Sequence, residues 1–516
     1  MTHSRKCAIA ACAIAASALV WAGKLAPVRI EPDRYLAHVK YLASDEMKGR
    51  ATGSAELDKA ARYIAREFES LGLRPITGGS YFQEFPVTVN AKIGPRNRLK
   101  YALDGQESVL KAGEDFLPLN FSARGSFHGG VVFAGYGITA PEYGYDDFAG
   151  LDVRDKFVLI MRHEPQEFDE QSPFAGRIYT EHAQTLTKVL TARMHGALGI
   201  IMVSDLAGHA GSADELDPFI RSLGPGDTGI PCVQVKWSIA EAWVHSAGKD
   251  LRKIAGEIDG DLQPRSFPLD ESLRVALEVD VKRQQRNVRN VAAYAPGETE
   301  KFVAVGAHYD HLGLGELYSM APGGEGKPHP GADDNASGTA GVLELARHFS
   351  SQPRRTRGAL FLAFAGEEVG LLGSSQFVRS GLAQMGGTVA MVNLDMIGRI
   401  RENAVTVGGA NTSRAFREMV ERLATPRGLH LEFNDRTGYG SSDHNAFLAR
   451  EVPVLFFFSG LHADYHRPTD TWEKINAEGA ANLLGLVAEV METLMEAPEQ
   501  PGFLRSFPRS ATAAVF

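Results

Sequence analysis

The sequence predicts an α/β protein in which a mostly parallel or mixed sheet lies between layers of helices. Uninterrupted apolar segments recur from residue 274 onward, among them KFVAVGAH, GALFLAFAG and TVAMVNLDM. Segments with helical periodicity, such as ASGTAGVLELARHFSS, lie between them. A strand that is apolar along its whole length is buried on both faces, which is typical of a parallel sheet covered by helices.

A second folding unit is predicted within residues 125–262. Strand-like segments recur there, namely GGVVFAGYGI, KFVLIMR, LGIIMVSD and IPCVQVKW, together with helical segments. A polar stretch with Pro264 and Pro268 follows, as is common where domains meet. The sequence therefore predicts an inserted, β-rich α/β domain. Residues 497–516 are predicted to form a loosely held tail.

The first 22 residues have the pattern of an export signal. Arg5 and Lys6 precede an apolar run that ends at Ala22, where small or aliphatic residues fit a cleavage site. An uncleaved membrane anchor is the alternative, but sixteen apolar residues fall short of the roughly 20 that span a bilayer. We therefore expect a periplasmic or extracellular protein. Cleavage leaves Cys232 as the last cysteine, so an internal disulfide is not expected.

The composition argues against nucleic acid as a partner. The formal net charge is −9 and the chain contains no long basic run, whereas phosphate binding depends on clustered Lys and Arg. An apolar content of 44% is ordinary for a globular protein, and 516 residues can bury more than one core.

Five acidic or histidine side chains fall at or just beyond the ends of predicted strands. Each has an ordinary explanation by itself; Asp333, for example, can cap the helix that starts near Ala336. In an open α/β sheet, however, ligands bind beyond the carboxyl ends of the strands. One shared cause, a metal site, accounts for all five residues, which are His308, Asp333, Glu368, Asp395 and His466.

Two histidines and three carboxylates suit a pair of divalent cations such as zinc. Asp310 is expected to accept the second ring N–H of His308 and so to orient that ring. Glu367 and Glu368 are adjacent and must point in different directions, so one can bind metal while the other is free to act as the general base. Tyr465 either donates a hydrogen bond to an oxyanion or only packs its ring. The nearby His311, His329 and His462 are interpreted as bystanders.

Six motifs resemble, in order and spacing, those of the co-catalytic zinc aminopeptidases of metallopeptidase family M28. They are AHYDH, GADDNASG, AGEEVGLLGS, NLDMIGR, SSDH and YHRPTDT. The resemblance is strong over 270–495 and looser over 33–90. It implies a zinc exopeptidase fold built from residues 30–124 and 268–496. The insert at 125–262 is similar to a protease-associated domain through DKFVLIMR and GALGIIMVSD.

The resemblance also implies roles for the site residues. Asp333 would bridge two zinc ions and precede a cis peptide bond, Asp333–Asp334. Glu367 would be the general base. The other ligands would be His308 and Asp395 for one ion, and Glu368 and His466 for the second.

The expected activity is release of N-terminal amino acids from peptides by water that the two zinc ions activate, with Glu367 transferring the proton. A carboxypeptidase is one alternative, with Arg399, Arg401 and Arg436 as candidates to hold a terminal carboxylate. A glutaminyl-cyclase-like transferase with one zinc ion and a non-catalytic receptor or scaffold are the others. The loop 312–331 is expected to form a rim of the site, while the oligomeric state is not predicted.

Overall fold

The computed structural model describes residues 27–504 apart from 141–142, 170, 175–179, 205, 207–212, 220–221, 225, 316–317, 383–385 and 435–441. This part of the chain is an α/β protein with a mixed main sheet, which confirms the predicted fold class. The predicted signal at 1–22 and the tail residues 505–516 lie outside the described residues. Within the described ranges, no helix is both long enough and apolar enough to cross a bilayer.

Within the described residues, the main sheet has ten strands: β1 (Arg74–Pro75), β2 (Phe82–Ile93), β12 (Ser222–Gly224), β16 (Val281–Ala295), β17 (Phe302–His308), β18 (Gly358–Phe364), β19 (Thr388–Leu394), β20 (Ala404–Gly408), β21 (His430–Asn434) and β22 (Val454–Phe458). Their order is β12-β2-β16-β18-β17-β19-β22-β20-β21, and β1 pairs with β16. The central strands β18, β17, β19 and β22 are parallel. Their carboxyl ends therefore meet at one edge.

Helices cover both faces of this sheet because its strands are apolar on both sides. On β17, Val303 and Val305 belong to the core on one face, while Ala304 belongs to the core on the other. The first face packs against α1 (Pro32–Leu42), α2 (Ala55–Ser70), α6 (Gly338–Ser350), α8 (Phe416–Ala424) and α10 (Ala477–Glu496). The second packs against α7 (Leu372–Arg379) and α9 (His444–Leu448).

A second unit has its own sheets and its own core. Its strands are β3 (Arg98–Leu103), β4 (Gln106–Leu110), β5 (Phe116–Pro118), β6 (Gly125–Gly129), β7 (Val131–Phe133), β8 (Thr139–Ala140), β9 (Tyr145–Asp146), β10 (Phe157–Met161), β11 (Gly199–Val203), β13 (Cys232–Val235), β14 (Phe267–Pro268) and β15 (Arg274–Val279). Its helices are α3 (Thr185–Met194), α4 (Trp237–Ser246) and α5 (Leu251–Asp261). The core takes in Leu99, Phe116 and Val275 from outside 125–262.

Several contacts join the second unit to the main sheet. Strand β12 pairs with β2, with Ser222 opposite Asn90, and so extends the main sheet by one strand. The guanidinium of Arg283 donates to the backbone oxygen of Asn120 at 2.8 Å. The second unit is therefore attached along an edge of the main sheet and not only through its two chain connections.

Candidate metal centre

Three of the central strands deliver polar side chains to the same edge of the main sheet. His308 is the last residue of β17, Asp395 follows β19 directly, and Glu367 lies three residues beyond the end of β18. The Nε2 atom of His308 is 3.4 Å from Asp395 Oδ1 and 3.8 Å from Glu367 Oε2. The parallel pairing of these strands is what brings the three side chains together.

Asp334 lies at the centre of the cluster. Its Oδ1 atom is 3.3 Å from His308 Nε2, and its Oδ2 atom is 3.3 Å from His466 Nε2. His466 Nε2 is also 3.3 Å from Glu368 Oε2. The two oxygens of one carboxylate therefore face two groups: His308 with Asp395, and His466 with Glu368.

The predicted position of the central carboxylate was off by one residue. Asp333 was expected there, but its Oδ1 accepts a hydrogen bond from Gly398 N at 2.6 Å, and its Oδ2 is 3.1 Å from His462 Nε2. The cis peptide bond is Asp334–Asn335 instead of Asp333–Asp334. Asp334 departs from helical φ and ψ, so the two neighbouring carboxylates point to different partners.

Asp333 belongs to a buried network beneath the cluster. The backbone N–H of Asp464 donates to His462 Nδ1 at 3.2 Å, so the ring hydrogen is on Nε2 and points at Asp333. This network ties the turn before α6 to the segments that follow β19 and β22. His462, interpreted as a bystander, has a structural contact with Asp333.

Asp470 holds the backbone of the turn that carries Asp334. Its buried Oδ2 atom accepts hydrogen bonds from Asp333 N at 2.9 Å and from Asp334 N at 3.2 Å. The guanidinium of Arg399 lies 3.7 Å from Asp470 Oδ1 and 2.9 Å from Asp464 Oδ2. The sequence interpretation missed Asp470, although it lies in the YHRPTDT motif four residues after His466.

Within the described residues, only one oxygen of the Asp395 carboxylate accepts a hydrogen bond. Its Oδ2 atom accepts from Ser442 Oγ at 2.7 Å, and Ser442 Oγ in turn accepts from Asn393 Nδ2 at 2.8 Å. Its Oδ1 atom is buried and makes no hydrogen bond within the described part of the chain. A buried carboxylate oxygen without a donor is costly unless a cation compensates it.

Asp310 contacts His308 differently from the prediction. His308 Nδ1 is 3.2 Å from the backbone oxygen of Asp310 but 3.9 Å from its carboxylate Oδ1, so the carbonyl is the ring's partner. The Asp310 carboxylate accepts instead from Thr52 Oγ1 at 2.6 Å and from the backbone N–H of Glu367 at 3.2 Å. Asp310 therefore links the two adjoining strand ends and positions the start of the Glu367–Glu368 segment.

His311 was interpreted as a bystander, yet it lies against the cluster. Its Nδ1 atom is 2.5 Å from Glu368 Oε1 and 3.8 Å from Asp334 Oδ2. It fixes the orientation of Glu368 in the way that hydrogen-bonded partners orient metal-binding side chains. The available signal was the second histidine of AHYDH, which reaches the same edge three residues after His308.

The loop 312–331 contacts His466 through its backbone. The carbonyl of Tyr318 is 3.0 Å from His466 Nδ1, and the N–H of Met320 donates to the backbone oxygen of His466 at 2.9 Å. These contacts set the orientation of the imidazole and leave Nε2 facing Asp334. Tyr465 stacks its ring on that of His466, with centroids 3.9 Å apart, and burial raises the pKa of its hydroxyl.

The concentration of carboxylates changes how the imidazoles titrate. Burial alone lowers the pKa of His466, but hydrogen bonds with Asp334 and Glu368 raise it to about 11. Burial likewise opposes charge on His308, whose pKa is nevertheless raised well above its usual value, chiefly by Glu367. The cluster therefore has a negative potential that favours positive charge at its centre.

Glu367 is placed near the centre without being part of the closest contacts. Its side chain is 14% exposed, and burial raises its pKa well above the usual value. Repulsion from Glu368, Asp395 and Asp443 adds to this rise, while His308 opposes it. A carboxylate with a raised pKa is better suited to accept a proton near neutral pH.

The donor set and its spacing fit zinc. Four contacts between a histidine Nε2 and a carboxylate oxygen measure 3.3 or 3.4 Å. In a tetrahedral site with bonds of about 2.0–2.1 Å, ligand atoms lie roughly 3.3–3.4 Å apart. Nitrogen and oxygen donors are those that zinc accepts, and Asp395 Oδ1, which makes no hydrogen bond within the described residues, faces His308 Nε2 inside the cluster.

Comparison with known proteins gives the following matches. Residues 290–491 match the profile of Peptidase family M28. A probable leucine aminopeptidase of Trichophyton verrucosum is 31% identical over 216 residues, which are 39% of this chain and 57% of that protein. Aminopeptidase YwaD of Bacillus subtilis is 24% identical over 393 residues, or 74% of this chain and 72% of that protein. The chain thus spans little more than half the length of the leucine aminopeptidase it matches.

Two solved structures are also similar. An aminopeptidase from Aneurinibacillus sp. strain AM-1 is 22% identical with a TM-score of 0.48, covering 93% of this chain and 97% of that chain. The zinc aminopeptidase BSAP from Bacillus subtilis is 21% identical with a TM-score of 0.46, covering 92% of this chain and 98% of that chain.

Proposed function

We propose that this protein is a zinc-dependent aminopeptidase of peptidase family M28, whose profile matches residues 290–491 as the motifs predict. The observation that carries the proposal is the position of Asp334, whose two oxygens each lie 3.3 Å from a different histidine Nε2. One carboxylate can therefore serve two ions. The names of the matched relatives, a probable leucine aminopeptidase and aminopeptidase YwaD, support an aminopeptidase activity.

Two zinc ions would share Asp334 under this proposal. Zinc supplies a Lewis acid that activates water and polarises a carbonyl group. His308 and Asp395 would complete the protein ligands of one ion, and Glu368 and His466 those of the other. Asp310 would orient His308 through its carbonyl, and His311 would orient Glu368.

Glu367 would act as the general base. Its carboxylate is near His308 but takes no part in the contacts of 3.3 or 3.4 Å, so it remains free to accept a proton. It would take a proton from the attacking water and pass it to the amine that leaves when the peptide bond breaks. The bond from its backbone N–H to Asp310 keeps it in place while it does so.

A substrate with a free amino terminus is proposed because the matched relatives are aminopeptidases. A carboxypeptidase would need a free cation near the centre. Arg399 is paired with Asp464, Arg401 is exposed, and Arg436 lies outside the described residues.

The remaining alternatives differ in zinc content. A glutaminyl-cyclase-like transferase would hold one ion, whereas the two donor groups around Asp334, which are His308 with Asp395 and His466 with Glu368, support two. A non-catalytic receptor or scaffold would have no use for a base placed like Glu367. Export of the chain and similarity of residues 125–262 to a protease-associated domain stay predictions.

Replacing the general base tests the mechanism. Glu367→Gln keeps the shape of the side chain but cannot accept the proton, so we expect kcat to fall by about 10²–10⁴. Zinc content, measured by plasma emission spectroscopy, should stay near two ions per chain. The exposed Glu298→Gln is the matched control and should behave as the wild type.

Peptides with free and acetylated amino termini complete this test. The wild type should release the first residue only from free peptides. An unchanged kcat in Glu367→Gln, or equal cleavage of acetylated peptides, would contradict the proposal.

A further inference from the structure

Arg50 is a buried arginine that lies against two segments of the metal centre. It is 0% exposed, and its φ of 47° is in the left-handed region that residues other than glycine seldom adopt. The two residues before it, Lys48 and Gly49, are also left-handed, with φ of 41° and 71°. A buried cation in an unfavourable backbone conformation persists only where the surrounding structure holds it in place.

The guanidinium of Arg50 donates to four backbone carbonyls on three separate segments. Its Nε donates to Tyr309 O at 2.9 Å, and its Nη1 donates to Pro330 O at 2.8 Å and also to Leu42 O. Its Nη2 donates to Gly331 O at 3.1 Å. A guanidinium carries five N–H donors in a planar fork, so one side chain can bind carbonyls that lie in different directions. Arg50 therefore joins the end of α1, the end of β17 and the turn before α6.

Two of these three segments carry proposed metal ligands. One contains His308 at the end of β17, and the other contains Asp334, three residues after Gly331. The backbone makes the first connection a second time, because the N–H of His311 donates to the carbonyl of Arg50 at 3.2 Å. The two segments meet in the cluster, where His308 Nε2 is 3.3 Å from Asp334 Oδ1.

Arg50 and Asp470 hold opposite sides of the turn that carries Asp334. Arg50 binds two carbonyls that precede the turn, whereas Asp470 accepts the N–H groups of Asp333 and Asp334. All of these hydrogen bonds are made between groups of the protein. They can therefore hold the backbone of Asp334 in place before an ion binds.

The charge of Arg50 by itself would act against a cation at the centre. Burial lowers its pKa to about 10, and the nearby carboxylates, Asp310 first and then Asp334, oppose this fall, so the guanidinium is charged at neutral pH. A fixed positive charge near the cluster repels a further cation. The hydrogen bonds and the charge thus have opposite effects on metal binding. The direction in which zinc affinity changes on substitution tells them apart.

We propose that Arg50 is a positioning residue of the metal centre, and that it holds the segment with His308 and the turn with Asp334 in the spacing that zinc requires. The inference rests on the proposed zinc-dependent function. Arg50 acts through these two ligands and does not contact the substrate. A functional side chain has to be held within about 0.5 Å of its productive position by the groups around it. Hydrogen bonds from one rigid guanidinium to both segments meet that requirement.

Two substitutions separate the hydrogen bonds of Arg50 from its charge. Arg50→Lys keeps the charge but replaces the planar fork with a compact ammonium group, which cannot bind all four carbonyls. We expect zinc affinity, measured by competition with a chelator, to fall by about 10–100-fold, with most of kcat recovered at saturating zinc. Arg50→Gln also removes the charge, and its zinc affinity should fall as well. An unchanged affinity in Arg50→Lys, or a higher affinity in Arg50→Gln, would overturn the proposal.

Arg357→Lys is the matched control. Arg357 is also buried and donates to two backbone carbonyls, Leu494 O at 2.8 Å and Ala497 O at 2.7 Å. It precedes the first residue of β18, at the opposite end of that strand from Glu367. The substitution should lower the melting temperature and leave zinc affinity within about twofold, because distant sites act independently. Equal losses of zinc affinity in Arg357→Lys and Arg50→Lys would mean that stability alone is affected, and the proposal would be wrong.

Hydrogen exchange on the wild type gives a test that does not depend on the folding of the variants. Exchange of the segments 306–312 and 328–336 is compared by mass spectrometry with zinc bound and after removal of zinc by a chelator. If Arg50 holds these segments, their N–H groups should exchange slowly in both states. Markedly faster exchange after zinc removal would show that the ions order the segments, and would overturn the proposal.

Zinc binding by the wild type separates this inference from the function on which it rests. A wild type that binds no zinc contradicts the proposed function, and the inference falls with it. Zinc binding that is normal in the wild type and in Arg357→Lys but weaker in Arg50→Lys supports both. Normal zinc binding in all three proteins leaves the proposed function intact and removes the role of Arg50.

Discussion

The second unit and the main unit each bury an aspartate, but the two carboxylates have different partners. Asp147 of the second unit is 0% exposed and accepts hydrogen bonds from the backbone of Tyr136 at 3.0 Å and of Ile138 at 3.1 Å. The hydroxyl of Tyr145 donates to its other oxygen at 2.8 Å. Asp334 of the main unit is 3% exposed and faces imidazoles from His308, His311 and His466.

The two environments shift the pKa of the carboxyl group in opposite directions. Burial raises the pKa of Asp147 to about 7, although its hydrogen bonds oppose the rise. Burial also acts to raise the pKa of Asp334, but the three imidazoles hold it well below its usual value. A buried carboxylate that accepts hydrogen bonds from backbone N–H groups can thus be neutral and have a structural role. One that stays ionised among histidines and further carboxylates is suited to a cation.

The largest expected effect comes from changing the carboxylate at the metal centre. Asp334→Asn would remove the charge that the two proposed ions share, so we expect zinc content to fall below one ion per chain. Because Lewis-acid stabilisation is worth several kcal/mol, kcat/KM should fall by about a thousandfold or more. Metal analysis and a steady-state peptide assay measure both effects.

Asp333→Asn is the matched control for this prediction. Its carboxylate contacts Gly398 and His462 beneath the cluster, so the substitution should lower the melting temperature while zinc remains bound. If Asp333→Asn lost zinc and Asp334→Asn kept it, Asp333 would be the bridging residue after all.

The sequence was sufficient to predict which strand ends meet at one edge of the sheet. It did not show which of two adjacent aspartates lies at the centre of the cluster. Parallel strands place His308 and Asp395 at one edge, and the apolar runs KFVAVGAH and TVAMVNLD locate those ends. The direction of a side chain in an irregular turn depends on φ and ψ, which the doublet Asp333–Asp334 does not reveal. The pattern therefore located the turn, and the structure was needed to assign the residue.

Residues that act through the backbone were harder to predict. Asp470 accepts two N–H groups from a turn more than a hundred positions away in the chain, and no local pattern indicates such a contact. The extent of the second unit was difficult for the same reason, because Leu99 and Val275 join its core through pairing of β3 with β15. Long-range pairing is decided by the packing of the whole chain.

A smaller effect is expected when the support of Asp334 is removed and its charge is kept. Asp470→Ala removes the acceptor for the N–H groups of Asp333 and Asp334, so the turn loses its fixed position. Partners that orient metal ligands are typically worth about 10–100-fold in metal affinity. We expect a loss of this size in zinc affinity, measured by competition with a chelator, and recovery of most kcat at saturating zinc.

Asp464→Ala controls for the neighbouring charges. Asp464 pairs with Arg399, as Asp470 does, and also with Lys474, but its carboxylate accepts neither N–H of the turn. Its loss should leave zinc affinity within about twofold, as expected of a partly exposed ion pair. Equal losses in both variants would show that the network acts through charge and not through the turn.

The smallest expected effect is on the pH dependence of stability and comes from Asp147 in the second unit. It distinguishes this aspartate, whose pKa is raised, from Asp334, whose pKa is lowered. In the unfolded chain Asp147 titrates near pH 3.9, and in the folded chain near pH 7. Between these values the folded state binds more protons, so the free energy of unfolding should decrease as the pH rises, by about 1 kcal/mol from pH 5 to pH 6. Asp147→Asn keeps an oxygen that accepts from both N–H groups and removes the titration, so its stability should vary less over that interval.

Urea unfolding followed by fluorescence of Trp237 and Trp243, which lie in the core of the second unit, measures the difference. Identical pH dependence in the two proteins would mean that Asp147 is ionised in the folded state, and the contrast with Asp334 would then rest on hydrogen-bond geometry alone.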